Sequence, residues 1–390
     1  MNRALPAAGS REPVRGSPEL LVSAVEASAD LHGAAVLREL RALRPALRAF
    51  GAGGPLMRAQ GFEALVRAED LGVMGIVELV PALPRILEAM DALRDAAGAR
   101  RPRAALLIDS PDFNLRLARG LRRLHVPVAC FIGPSVWAWR AYRVRQIARD
   151  VARMLVILPF EASFYQERGV RATYVGNPLA DSLKHVPEGA PPLGLEPDKP
   201  VLALLPGSRR QEIRGLWDPL LRAGRALRAE RPGLQLVCPV APTIDRALLG
   251  FAPDVIFVDG RAPEVLAAAD AAVVASGTAT LEAALAGTPM VVVYKMSWLS
   301  WLIGRLLVRV PFVSLVNLLA GRAVVPELLQ SACTPERIAR AVAPLLEGGP
   351  ERTMQIQGLE AIRAQLAPPG SGSAARRAAE EVLSLLEAPA

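Results

Sequence analysis

Short apolar runs, too short for helices and apolar on both faces, recur along this chain with amphipathic stretches between them. Residues 20–25, 104–108, 126–132 and 154–158 form such runs in the first half, and 201–205, 234–238, 255–258, 271–275 and 290–294 in the second. A strand apolar on both faces must be covered on both, which a parallel sheet flanked by helices achieves. Amphipathic stretches at 31–43, 115–124, 212–229, 263–269 and 278–286 supply those helices. The alternation predicts an α/β fold of doubly wound, Rossmann-like sheets.

The alternation lapses once, between 176 and 199, where Pro178, Pro187, Pro191, Pro192 and Pro197 fall. Pro-rich composition there reads as a linker. The expected organisation is a disordered tail at 1–17, an N-terminal domain at 18–176, a linker at 177–199, a second domain at 200–350 and C-terminal helices at 351–390. A length of 390 residues suits two such domains. The tail lacks the apolar core of a signal peptide, and no uninterrupted apolar run reaches the ~18 residues a spanning helix needs. Cys130, Cys238 and Cys333 are far apart without a Cys-x-x-Cys pair, which argues against a disulfide framework or zinc ribbon and for a reducing, cytoplasmic setting. The net charge of +8, carried by arginine with only three lysines, suits anionic lipid or phosphorylated substrates. Nucleic acid is not expected, because no recognition motif accompanies the charge.

Open α/β sheets bind ligands at the carboxyl ends of their strands, so the turns after strands are where chemistry is sought. The turn Leu-Pro-Gly-Ser-Arg ends at Arg209. Gly207 permits close backbone approach, Ser208 offers a hydroxyl, and Arg209 adds a fork for phosphate beside a helix N-terminus. Ser276, Gly277 and Thr278 open a second helix in the same domain, with Glu282 one turn further as an acceptor for vicinal hydroxyls. Two such N-termini suit a nucleotide diphosphate. In the first domain Asp109 leaves a buried strand, where a raised pKa would suit a general base. Glu26, Ser28 and Asp30 follow the first strand; Trp137, Trp139 and Arg140 follow another. Each group also has a plainer reading as a helix cap or core residue.

No Asp-x-Asp clasp, His pair or Walker loop occurs, so neither a metal nor another cofactor is expected. The stretch 297–310 is apolar yet carries Arg305 and Arg309, with Trp298 and Trp301 on one helical face. That pattern suits a helix lying in a membrane interface.

Five motifs in one order, Ile-Asp-Ser-Pro-Asp-Phe-Asn, Pro-Ser-Val-Trp-Ala-Trp-Arg, Leu-Pro-Gly-Ser-Arg, Ser-Gly-Thr-Ala-Thr-Leu-Glu and Asn-Leu-Leu-Ala-Gly-Arg…Val-Pro-Glu-Leu-Leu-Gln, resemble the lipid-A-disaccharide synthase family of Gram-negative bacteria. The resemblance implies a glycosyltransferase fold of the B type. It further implies UDP-2,3-diacylglucosamine as donor and 2,3-diacylglucosamine 1-phosphate (lipid X) as acceptor. The products would be a β-1,6 disaccharide 1-phosphate and UDP. By the same resemblance Asn317 and Gln330 would line the cleft, a homodimer stays open, and the chain would work at the cytoplasmic face of the inner membrane. Where the family shows Ala-Gly-Glu-Ala-Ser-Gly-Asp, this chain has Val25 and Ala29 in place of the glycines. A β-branched valine resists positive φ, so a turn needing one there would have to be rearranged.

The expected reaction is an inverting attack by the acceptor's 6-hydroxyl, with Asp109 as base and Glu26 as substitute. Arg209 and the N–H groups after Gly207 and Gly277 would hold the departing diphosphate. Two other readings remain: an isomerase resembling UDP-N-acetylglucosamine 2-epimerases, and a non-catalytic basic membrane- or nucleic-acid-binding protein. If the 297–310 segment docks on lipid, reversing the charges of Arg305 and Arg309 lowers co-sedimentation with anionic vesicles; unchanged sedimentation counts against it.

Overall fold

The computed structural model describes residues 19–71, 76–138, 141–183, 194–297, 301, 310–367 and 372–387. Two all-parallel sheets form its frame. The first contains β1 (Glu19–Ser23), β2 (Arg48–Gly53), β3 (Glu63–Arg67), β4 (Ala104–Ile108), β5 (Val128–Phe131), β6 (Arg153–Val156) and β7 (Ala172–Tyr174). Their spatial order is β3-β2-β1-β4-β5-β6-β7. The second contains β8 (Val201–Leu205), β9 (Gln235–Val240), β10 (Val255–Asp259), β11 (Ala271–Ala275), β12 (Met290–Tyr294) and β13 (Glu327–Leu329), in the order β10-β9-β8-β11-β12-β13. The doubly wound architecture expected from the alternation is the one found. Strands β4, β8 and β11 are buried along their whole length, which is why they read as unbroken apolar runs.

Both sheets reverse their winding at the centre, between β1 and β4 and between β8 and β11. A crevice opens at the carboxyl end of each reversal.

Strand β2 carries no apolar run, since its sequence is Arg-Ala-Phe-Gly-Ala-Gly. Gly51 has φ +139, and a Cβ there would stand 2.2 Å from Val22 O of β1. Glycine is required because the neighbouring backbone leaves no room for a side chain, and the same glycines erase the strand signal.

Part of the Pro-rich segment is helical, over Pro178–Leu183. Asn177, buried at the boundary, accepts from Leu179 N at 3.0 Å while Pro178 opens the first turn. Helix Pro350–Leu366 contributes Leu359, Ile362 and Leu366 to the core of the second sheet. The final helix, Ala374–Glu387, instead lies on helix Ala27–Leu43 of the first. Its Ala378, Ala379, Val382 and Leu386 share a core with Leu20, Val22, Val36 and Leu40. Arg153 pairs with Glu381, and Arg44 with Glu387 at 3.1 Å.

Candidate active site

The first crevice is built on an unusual turn. Asp109 and Ser110 directly after β4 both adopt left-handed backbone, with φ of +52° and +44°. Such residues cost of order 1–3 kcal/mol each and need surroundings that impose them. Asn114 does this from the following helix, Pro111–Arg123. Its Nδ2 donates to Ile108 O (3.0 Å) and Asp109 O (2.8 Å), and its Oδ1 accepts from Ser23 Oγ at the end of β1 (2.7 Å). The Asp109 side chain makes no hydrogen bond or ion pair to another side chain among the described residues. Burial raises its pKa above the usual carboxylate range, the Ser110 N–H opposes that, and the charge of Glu26 adds to it. Glu26 itself is exposed and accepts from Ser110 Oγ at 2.8 Å. Ser28 is exposed in the first turn of the neighbouring helix.

Neither Val25 nor Ala29 has a positive φ, so this turn needs no glycine at either place. Val25 joins the core around Leu21 and Phe50, and Ala29 that around Ala24 and Leu106. Asp30 caps a helix, though not the one it belongs to. Its carboxylate accepts from Gly54 N, Leu56 N and Met57 N at 2.8, 2.9 and 3.0 Å, closing helix Pro55–Ala59.

In the second crevice, Gly207 (φ +111°), Ser208 and Arg209 lead into helix Arg210–Glu230. Ser208 and Arg209 are exposed. Their free N–H groups are held by Glu212, whose Oε2 lies 2.9 Å from Ser208 N and 3.2 Å from Arg209 N. Arg209 Nη1 also reaches Glu212 Oε1 at 3.3 Å. The helix thus supplies its own anion at the position where sequence reasoning placed a phosphate. Thr243 Oγ1 donates to Ser208 O at 2.8 Å and fixes the turn from the β9 side. Across the switch, Gly277 (φ +154°) and Thr278 are exposed ahead of helix Ala279–Ala286. Ser276 Oγ donates to Val313 O at 3.0 Å and is a brace. Burial raises the pKa of Glu282, and no protein group among the described residues bonds to its carboxylate.

Asn317 differs from its expected place on the cleft wall. It is 1% exposed, and its amide is spent on the loop: Nδ2 donates to Val325 O and Glu327 Oε1, and Oδ1 accepts from Val324 N and Val325 N. Gln330, just after β13 with φ +51°, accepts from Met296 N at 3.2 Å, while its Nε2 is buried without a partner among the described residues. Trp298, Arg305 and Arg309 lie outside the described residues; Trp301 is half-buried. Trp139 and Arg140 also lie outside them. Trp137 is part-buried, its Nε1 donates to Glu161 at 3.0 Å, and its ring meets Phe160 edge-on at 4.9 Å. It serves as a strut for its loop.

Sequence reasoning passed over Ser110, Glu161 and Glu212. Two of them had a local signal: Pro159 opens a helix with Glu161 two residues on, and Glu212 stands three residues after Arg209, both patterns of a helix start. Ser110 had none, because its partner Glu26 is 84 residues away.

One crevice therefore carries a desolvated carboxylate able to take a proton, and the other an anion-holding turn. Two crevices of this kind, on two doubly wound sheets, are the layout of the glycosyltransferase fold of the B type. Solved structures agree on the fold. The glycotransferase of kitacinnamycin matches with TM-score 0.65 at 19% identity, covering 95% of this chain and 99% of that one. A UDP-N-acetylglucosamine 2-epimerase matches with TM-score 0.61 at 13% identity, covering 95% and 96%. The family model described as Lipid-A-disaccharide synthetase matches residues 20–382. A lipid-A-disaccharide synthase of Myxococcus xanthus is 53% identical over 95% of this chain and 98% of its own length. This chain belongs to the lipid-A-disaccharide synthase family. The family match sets the isomerase and non-catalytic readings aside; the glycotransferase and epimerase structures alike speak to the fold alone.

Burial of Glu161 pushes its carboxyl from 4.5 up to about 7. Between those values the folded chain binds more protons than the unfolded one, so stability falls as pH rises through this window. Chemical denaturation from pH 4.5 to 7 should show wild type losing up to about 3 kcal/mol relative to E161Q; parallel curves would refute the assignment.

Proposed function

We propose that this chain transfers 2,3-diacylglucosamine from UDP-2,3-diacylglucosamine to the 6-hydroxyl of lipid X, with inversion, releasing UDP. The observation that carries this reading is the division of labour between the two switch points: a desolvated Asp109, bonded to no other side chain among the described residues, at one and the Gly207–Arg209 turn at the other. Asp109 takes the hydroxyl proton as the oxygen attacks the anomeric carbon. The bond to the diphosphate breaks on the opposite face, and the departing oxygen gathers negative charge. Arg209, the N–H groups of Ser208 and Arg209 once Glu212 gives them up, and those opening helix Ala279–Ala286 receive it. Glu282, desolvated and without a protein partner among the described residues, is suited to accept from ribose hydroxyls.

Both substrates carry acyl chains, so the reaction belongs at a lipid surface. Among the described residues no helix is long and apolar enough to cross a membrane. The first domain exposes Leu31, Leu56, Leu83 and Leu87 on helices Ala27–Leu43, Pro55–Ala59 and Ile76–Arg100. Together with the net charge of +8, these support peripheral docking on anionic lipid at the cytoplasmic face of the inner membrane.

Acceptor-dependent UDP release tests the reaction. D109N is expected to lose at least ~100-fold in turnover, and R209A to lose ~2–4 kcal/mol of transition-state stabilisation. Unchanged turnover in either removes that residue from the mechanism. A diphosphate seated on the Ser208 and Arg209 amides must displace the Glu212 carboxylate. Calorimetry should therefore show E212Q binding UDP several-fold more tightly than wild type, whereas weaker binding would make Glu212 a support of the turn.

A further inference from the structure

Ser110 occupies the N-cap position of helix Pro111–Arg123, where a serine hydroxyl ordinarily accepts from the helix's own N–H groups. Here it makes no such bond. Its Oγ instead donates 2.8 Å across the switch point to Glu26 Oε1, linking the turn after β4 to the turn after β1. Ser110 is 7% exposed, and the left-handed backbone at Asp109 and Ser110 aims its hydroxyl there. Asn114 holds that backbone, so the direction of the hydroxyl is imposed by the fold. A cap bond worth about 1 kcal/mol is forgone in favour of a link between two loops.

We propose that Ser110 is a positioning residue for glycosyl transfer, fixing the Glu26 carboxylate beside Asp109 so that the two acids keep separate tasks. Glu26, bonded through Oε1, keeps Oε2 free to accept from the acceptor sugar. Asp109 stays without such a donor and takes the proton. Among the described residues Glu26 is the charged group whose field acts on Asp109, and the remaining influences there are burial and the Ser110 N–H. Without the hydroxyl, Glu26 can turn toward water. Asp109 then loses the nearby negative charge that makes it a stronger base, and the acceptor loses an anchored partner. Ser110 acts through Asp109, so the assignment stands only with Asp109 as the base, and D109N tests that part separately.

The decisive variant is S110G. Glycine removes the whole side chain, Cβ included, and suits φ of +44° better than serine, so it abolishes the bond without adding strain. Alanine keeps the Cβ that serine already has and removes the hydroxyl alone, so S110A is measured beside S110G and must shift in the same direction. With UDP-2,3-diacylglucosamine, lipid X in detergent and the full chain, S110G should keep its thermal midpoint. Its KM for lipid X should rise several-fold with that for the donor unchanged. The acid limb of its kcat/KM profile should move to lower pH by roughly half a pH unit or more. E26Q, which removes the charge itself, should move the limb the same way. An S110G profile superimposed on wild type, with unchanged KM for lipid X, overturns the proposal. Full activity of D109N would instead overturn the reading of Asp109 while leaving the Ser110–Glu26 bond in place.

Discussion

Where a parallel sheet reverses the direction of its crossovers, no helix covers the carboxyl ends of the two central strands. The gap is a consequence of connectivity: helices leaving neighbouring strands depart to opposite faces. In this chain the gap occurs twice, between β1 and β4 and between β8 and β11. The side chains proposed for the reaction follow these four strands, Glu26 and Asp109 after β1 and β4, Arg209 and Glu282 after β8 and β11. Helix N-termini line each gap, so both favour negative charge. What distinguishes them is what the turns add, exposed or desolvated carboxylates in the first and, in the second, an arginine beside amides that Glu212 holds.

The turns are shaped by strain that polar side chains hold in place. Asp109, Ser110, Ile132 and Gln330 are all left-handed, and all stand at or next to the first residue beyond a strand. Asn114 holds the first pair, and Ile132 N bonds to Leu155 O of the next strand. Asn317 and Glu327 build a comparable frame for the loop over β11, and Ser276 ties that loop down through Val313 O. Residues that resemble ligand contacts in sequence therefore act partly as the scaffold that aims the others.

Four acids show how environment assigns the task. Asp30 receives three N–H groups and is satisfied as a structural anion. Glu161 receives Leu158 N and Trp137 Nε1 yet lies so deep that its carboxyl still rises to about 7. Glu212 occupies the amide turn proposed to hold the donor's diphosphate. Among the described residues Asp109 receives the Ser110 N–H alone, and burial with the charge of Glu26 keeps its pKa raised, as the proposed base would need. Net partnering, more than burial, separates the structural acids from the reactive one.

The alternation of apolar runs determined the fold class by itself, because a strand buried on both faces has few other ways to be covered. The ligand turns were legible for the same reason: Asp109, Arg209 and Gly277 follow runs that could only be strands. The glycine-bearing β2 escaped notice, since Gly51 answers to the backbone of β1 and leaves no periodicity. What each polar residue does could not be read locally. Asp30 serves a helix 25 residues on, Asn317 closes its own loop, and Ser110 meets Glu26 over a separation of 84 residues. Burial pattern is a property of neighbours in sequence, whereas a hydrogen-bond partner is a neighbour in space, and only the tertiary structure decides which spaces coincide.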